Sequence, residues 1–162
     1  MRCPPPDPYQ ETVNLSPNRG GKIDPQYIIL HHSGGSFEGG ISWILNPASQ
    51  VSYHYLINPD NGDRVQLVWD SKKAWHAGKS KWDGVTGLNS HSIGIAFAGN
   101  THKREVADHE INSVAHKCLY LMEKFQLPTT AILTHQMIAP GRKDDCSPEA
   151  YRRVLNRIKE LA

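Results

Sequence analysis

No run of 18 apolar residues occurs anywhere in this chain, so a transmembrane helix is excluded as a way of organising it. The N-terminus lacks the charged-then-apolar pattern of a secretory signal, and Pro4, Pro5, Pro6 and Pro8 read instead as an extended tail. Cysteine is scarce: Cys3, Cys118 and Cys146 form no paired framework, which excludes a disulfide-stapled scaffold and hints at a reducing compartment. Cys118 falls on an apolar helix face and reads as core. Cys3 would be an acylation site only if the first two residues were foreign to the chain. Charge of one sign is also lacking. Lys plus Arg total 18 against 16 for Asp plus Glu, an excess too small to indicate a nucleic-acid partner. The basic groups at Lys72, Lys73, Lys79, Lys81 and at Arg152, Arg153, Arg157, Lys159 read as solvated surface. There is no internal repeat.

What is present is an ordinary globular pattern of 162 residues, the size of one domain with its own core. Residues 1–25 are rich in Pro, Asn and Gly and are expected to wrap the surface as an extended segment; residues 26–162 form the domain. Tyr27 to Leu30 is a short apolar run ending at a His pair and reads as a buried strand. Gly34-Gly35 and Gly39-Gly40 precede a helical candidate, Ile41 to Leu45, that Asn46-Pro47 ends. Val51 to Ile57 and Arg64 to Val68 are strands of a hairpin around Asn58-Pro59-Asp60-Asn61-Gly62-Asp63. Lys72 to Asn89 shows no period and reads as a long loop, a feature often functional in small domains. Ser92 to Ala98 is a further strand. Ile111, Val114, Ala115, Cys118, Leu119, Met122 and Phe125 recur at helical spacing and stop before Pro128. Ala131 to Thr134 is the last strand. Ser147-Pro148 is an N-cap and first helical position for a closing helix with Tyr151, Val154, Leu155, Ile158 and Leu161 as its buried stripe. The fold class is α/β: a single domain with a central mixed β-sheet of about five strands flanked by helices.

Nine histidines are present, and four have an ordinary explanation. His109 and His116 lie on the polar side of the long helix beside Asn112, Ser113 and Lys117, a solvated face; His91 and His102 sit in polar, loop-like contexts and read as exposed. His31, His54, His76 and His135 differ, because each ends or interrupts a strand or loop beside small residues. The segment Thr134 to Cys146 places an imidazole, His135, ten positions before a carboxylate, Asp145, with Gly141-Arg142-Lys143 as the turn between them. Such a turn can fold two ligands back onto one cation, and Ile28-Ile29-Leu30-His31-His32-Ser33 offers a third. Two His and one carboxylate leave an open position on tetrahedral zinc, the mark of a catalytic rather than a structural ion. Adjacent strand residues point to opposite faces, so only one of His31 and His32 can serve, and spacing does not choose. Cys146 beside Asp145 keeps a thiolate open as the third ligand.

At these residues the chain resembles the N-acetylmuramoyl-L-alanine amidase type 2 family, which includes phage T7-type lysozyme and the peptidoglycan recognition proteins. The resemblance is carried by Ile29-Leu30-His31-His32-Ser33, Ser52-Tyr53-His54-Tyr55-Leu56-Ile57, Ala74-Trp75-His76-Ala77-Gly78, Asn89-Ser90-His91-Ser92-Ile93-Gly94-Ile95 and His135 through Asp145. These segments stand in family order over roughly residues 27–160. The family pattern puts the first ligand two residues before a Ser or Thr, which selects His31. It maps the second ligand onto His135 and favours Asp145 as the third, because only Asp145 keeps Lys143 two residues before the ligand. Some relatives carry a Glu directly after Ile-Gly-Ile; this chain has Ala96 there, and the alternative used by other relatives, a Tyr, matches Tyr53.

The resemblance implies zinc on His31, His135 and Asp145, Lys143 as stabiliser of the oxyanion, and Tyr53 as its catalytic companion. The general base is left open by the sequence. His76, Trp75, His54 and Asn89 are implied as substrate-binding residues, and Trp75 and Trp82 with Lys79 and Lys81 could line a groove for glycan and stem peptide. The implied reaction is hydrolysis of the amide joining N-acetylmuramic acid to L-alanine, by a monomer acting on peptidoglycan or muropeptides, with no nucleic-acid or membrane partner. The lack of a signal suits a phage-type endolysin, cytoplasmic before release to the wall, with periplasmic or extracellular action as the other possibility. A muropeptide-recycling amidase, an injected toxin, a non-catalytic peptidoglycan-binding module and a metal-stabilised structural domain are the competing readings.

Overall fold

The run Tyr27–His32 becomes the strand around which the molecule is built. The structure, a computed structural model, describes residues 5–162, so Cys3 lies outside the described residues. In chain order the elements are β1 (Glu11–Val13), β2 (Arg19–Lys22), β3 (Tyr27–His32), α1 (Phe37–Leu45), β4 (Tyr55–Ile57) and β5 (Arg64–Gln66). They continue with β6 (Lys72–Ala74), β7 (Lys81–Trp82), β8 (Val85–Thr86), β9 (Ser92–Phe97), α2 (Asp108–Phe125), β10 (Ile132–Thr134), α3 (His135–Ile138) and α4 (Pro148–Leu161). The main sheet is mixed and has six strands, in the order β1-β5-β4-β9-β3-β10. Only the β4–β5 hairpin is antiparallel within it. Strand β3 is parallel to both its neighbours, β9 and β10, and Ile28, Ile29 and Leu30 are fully buried, as strands covered on both faces require.

The period of two sorts the sheet's side chains into two faces. Ile28 and Leu30 join Ile93, Ile95 and Phe97 against α2 and α4, through Val114, Cys118, Leu121, Val154 and Ile158. Ile29 and Leu133 point the other way, onto Ala77, Leu88 and Ile138, and Leu56 and Ala96 meet Ile44 and Leu67 of α1 and its surroundings. His31 shares the face of Ile29, two residues away, and that face carries no long helix. The helices start as the sequence indicates: Ser147 Oγ accepts from the Ala150 N–H, and Pro148 takes the first position of α4. Helix α2 ends at Gln126, which adopts a left-handed conformation two residues before Pro128. Among the described residues no helix is long and apolar enough to cross a membrane.

Several elements differ from the sequence reading. The sheet has six strands rather than five because the N-terminal segment supplies one: β1 runs parallel to β5, and β2 pairs with β6. Ion pairs hold this segment down. The buried Arg64 guanidinium is bonded by Asp7 and Glu11, and Lys117 Nζ lies 2.9 Å from the same Glu11 carboxylate. The segment therefore covers the polar side of α2, and His116 and Lys117, expected on a solvated face, are buried, the His116 ring edge-on to Tyr9. His109 Nε2 donates to the Pro59 carbonyl, 2.5 Å away. Val51–His54 is not strand; Ser52 is instead bonded to Trp75 and to the Asn18 carbonyl. The long 72–89 segment contains β6 and a two-residue hairpin, β7–β8, whose Asp83-Gly84 turn has both residues at positive φ, as that dipeptide favours.

Candidate active site

The parallel register of β10 on β3 pairs Thr134 with Leu30, which brings the next residue of each strand, His135 and His31, level with one another. Thr134 Oγ1 accepts from the Met137 N–H, turning the chain into the short α3 at His135. The 139–145 turn then returns, with the Gln136 N–H donating to the Asp145 carbonyl at 2.8 Å. The outcome is a buried triad. His31 Nδ1 and His135 Nδ1 are 3.1 Å apart, Asp145 Oδ2 is 3.4 Å from His31 Nδ1, and Asp145 Oδ1 is 3.2 Å from His135 Nδ1. The ligand-type atoms of His31, His135 and Asp145 all lie within 4.8 Å of one another, so the group could hold a metal ion.

The hydrogen bonds around the triad test that fit. His135 Nε2 is 3.0 Å from the Ala77 carbonyl oxygen, which can only accept, so the ring proton sits on Nε2 and Nδ1 presents a bare lone pair. His31 Nε2 is engaged by His76 Nδ1 at 2.8 Å, leaving its Nδ1 to face the triad. Burial lowers the His31 imidazole to about 4, with the Asp145 bond opposing and His135 assisting, so it is neutral at physiological pH. Two lone pairs and one carboxylate thus converge on one point. Among the described residues the only backbone donor to that carboxylate is the His32 N–H, at 3.1 Å from Oδ2. A divalent cation with nitrogen and oxygen ligands satisfies this donor set.

The alternatives left by the sequence separate cleanly. His32 turns to the opposite side, where its Nδ1 meets Thr101 Oγ1 at 2.9 Å. Cys146 is wholly buried in the helix-side core, and burial, with Asp145 adding, pushes its thiol up to about 12. It is not part of the triad.

The triad opens into a cavity of about 410 Å³ whose lining includes Tyr53, Trp75, His76, Asn89, Arg142 and Lys143. A larger groove of about 670 Å³ lies between α2 and α4, but its Arg153 and Arg157 are bonded to Asp108, Asn112 and Glu160, and it faces away from the triad. Lys143 is exposed at the mouth of the smaller cavity. The Tyr53 ring is tilted against His31 with centroids 5.1 Å apart. Burial, then Asp145, raises the Tyr53 phenol above its ordinary value, so its hydroxyl stays a donor. Ala96 packs with Leu56 and Leu67 and offers no carboxylate where some relatives have one.

The four residues implied as substrate contacts take different places. Trp75 lines the cavity. Asn89 also lines it, but its Oδ1 accepts from the His76 and Ala77 N–H groups at 3.0 and 2.7 Å and so holds the 76–77 loop. His76 is buried with both ring nitrogens engaged, by His31 and by Ser92 Oγ. His54 does not line the cavity: its Nδ1 accepts from the Gly94 N–H at 3.0 Å and its Nε2 donates to the Lys72 carbonyl at 2.8 Å. Trp82 packs against the cluster of Ile29, Ala77, Leu88, Leu133 and Ile138, beside a different groove. Residues the sequence reading gave no part are Ser92, Gly94 and Arg142. Their signals were present in Ser92-Ile93-Gly94 and Gly141-Arg142-Lys143, yet their roles depend on which loops they touch.

Comparison with known proteins places these features together. A family model described as N-acetylmuramoyl-L-alanine amidase matches residues 21–148. N-acetylmuramoyl-L-alanine amidase AmiD of Escherichia coli is 29% identical over 135 residues, covering 75% of this chain and 48% of that protein. The 1,6-anhydro-N-acetylmuramyl-L-alanine amidase AmpD of Citrobacter freundii is 36% identical over 99 residues, covering 61% of this chain and 52% of that protein. The chain thus spans about half the length of these curated relatives. A crystal structure of AmpD superposes with a TM-score of 0.74 at 26% identity, covering 94% of each chain.

Proposed function

This chain belongs to the N-acetylmuramoyl-L-alanine amidase family, and from that premise we propose that it hydrolyses the amide between N-acetylmuramic acid and L-alanine with zinc on His31, His135 and Asp145. The observation that carries the proposal is the convergence of two bare imidazole lone pairs and one carboxylate at the base of an open cavity. Zinc held there by three protein ligands would keep one open position, supplying carbonyl polarisation and a water whose pKa is lowered toward about 7.

The chain's own groups do the rest. Lys143, at the cavity mouth, places a point charge where an amide oxygen becomes negative. Tyr53, kept protonated and lining the same cavity, donates a hydrogen bond that orients the amide. Trp75 gives the cavity an apolar surface for the sugar or the peptide stem. The substrate is peptidoglycan or a fragment of it. The wall-lytic, endolysin-type role follows the sequence reading, while the AmpD relative, named for the 1,6-anhydro sugar, favours soluble muropeptides as a second substrate form.

The test is release of muropeptides by zinc-loaded protein from intact sacculi and from soluble anhydro-muropeptides, assayed in parallel. Hydrolysis of either, lost in Lys143→Ala while zinc content is unchanged, is the expected result. A wild-type protein that binds zinc but cuts neither substrate would establish a binding module in place of an amidase.

A further inference from the structure

We infer that Ser92, acting through His76, sets the tautomer of His31 and is thereby a positioning residue of the metal site. The inference rests on the zinc reading proposed above. Ser92 begins β9 and is fully buried. Its hydroxyl has one proton, donated to the Leu88 carbonyl at 2.6 Å. Only lone pairs then remain for its second neighbour, His76 Nε2, at 3.2 Å. That pairing requires the ring proton of His76 on Nε2. A neutral imidazole carries one ring proton, so His76 Nδ1 is an acceptor, and His31 Nε2, 2.8 Å away, must donate to it. The same reasoning one ring further on strips the proton from His31 Nδ1, the atom that faces His135 Nδ1 and Asp145.

A second observation shows that the His76 ring is seated for this purpose. Gly94 lies two residues after Ser92 on the same face of β9, and a Cβ there would come within 2.6 Å of His76 Cγ and 2.7 Å of Nδ1. The strand thus supplies a hydroxyl to hold one end of the imidazole and a bare backbone to admit its edge. Without the Ser92 acceptor, His76 can take the Nδ1–H form. Its proton then points at His31 Nε2, which must accept, and the His31 proton moves to Nδ1, where it blocks ligation. Outer partners that fix a ligand histidine are typically worth about 10–100-fold in metal affinity.

The experiment uses histidine labelled with nitrogen-15 in metal-free protein, read by long-range proton–nitrogen spectra, together with zinc affinity by chelator competition. In the wild type both His76 and His31 should carry the proton on Nε2. Ser92→Ala should populate Nδ1–H at His76 and bind zinc about 10–100-fold more weakly, and Ser92→Thr, which keeps the hydroxyl, should recover both properties. If Ser92→Ala does not fold, Ser92→Cys, a weak acceptor, should show the same loss. A wild-type His76 protonated on Nδ1, or a folded Ser92→Ala or Ser92→Cys protein that binds zinc as tightly as wild type, would overturn the inference. Failure of the wild type itself to bind zinc would instead overturn the zinc reading, with the tautomer spectra still deciding the relay.

Discussion

His135 and Arg142 meet on a single acceptor: the imidazole Nε2–H and the guanidinium Nη2 both donate to the Ala77 carbonyl oxygen, at 3.0 and 2.6 Å. Arg142 also donates to the Lys79 carbonyl at 2.9 Å and lies over Gly78, where φ is +61° and a Cβ would come within 3.0 Å of Nη2. The arginine therefore clamps the 77–79 loop whose carbonyl orients a metal ligand. Arg142→Ala should lower zinc affinity by about tenfold. Arg142→Lys should not restore it, because Nη2 alone makes both bonds and a lysine ammonium ends one bond short of the place that nitrogen occupies. Chelator competition on the two variants checks this, and equal affinities in all three proteins would refute it.

Metal removal should destabilise the fold as well as silence it. Without a cation, two lone pairs and a carboxylate face one another in a buried space. Zinc at about 100 times its dissociation constant should stabilise the native state by about 2.7 kcal/mol. Melting should shift down on chelation and up with added zinc, in proportion to the logarithm of its concentration. A melting temperature indifferent to chelator would count against the site.

The pH dependence of stability has a defined sign at His54. Burial holds this imidazole at about 4 against an ordinary value of 6.5, with both ring nitrogens bonded to backbone. The unfolded chain takes up the proton first as pH falls, so stability is full above about 6.5 and declines toward pH 4, by about 3 kcal/mol at most for this group. His54→Gln, able to serve one of the two backbone partners, should flatten the decline measured by urea unfolding at pH 7 and pH 5. An unchanged slope would show that His54 already protonates in the native state.

Asn18 is placed to govern the cavity wall from outside the matched family segment. Its side-chain amide reaches the Ile44, Asn46 and Val51 carbonyls and Ser49 Oγ, at 3.0 to 3.1 Å. Two N–H protons shared among four acceptors gather the chain from the end of α1 to the residues before Tyr53. Asn18→Ala removes a donor shared by one buried and three part-buried acceptors and should cost about 1–3 kcal/mol. Amide exchange in residues 46–53 should quicken while the triad's own segments stay protected. Uniform exchange across the chain would mean the residue serves overall stability alone.

The triad was legible through two short-range rules together with the family resemblance, which selects His31 over His32 and Asp145 over Cys146. A strand's alternation makes His31 and His32 exclusive, and a turn of ten residues returns Asp145 to His135. The helices were legible from their spacing and from Ser147-Pro148. The sixth strand was not, since β1 owes its place to Arg64, more than fifty residues away, whose buried charge Asp7 and Glu11 neutralise. The same cover hid the burial of His116 and Lys117, whose helix face reads as polar when taken alone. His54 and His76 illustrate another limit. Both stand in family segments and both are buried histidines, yet the structure spends one on backbone and the other on His31.

Strand β1 also bears on how copies of this protein behave toward each other. It lies along the otherwise open side of β5, is three residues long and is exposed throughout, with the acidic Glu11 at its start. Were residues 5–13 cut away, the N–H and C=O groups of Arg64 to Gln66 would be left free to pair with a strand of another molecule. A three-residue outer strand is a poor template for such pairing. The N-terminal segment therefore acts as a guard against edge-to-edge aggregation, and trimming it should lower solubility before it touches the metal centre.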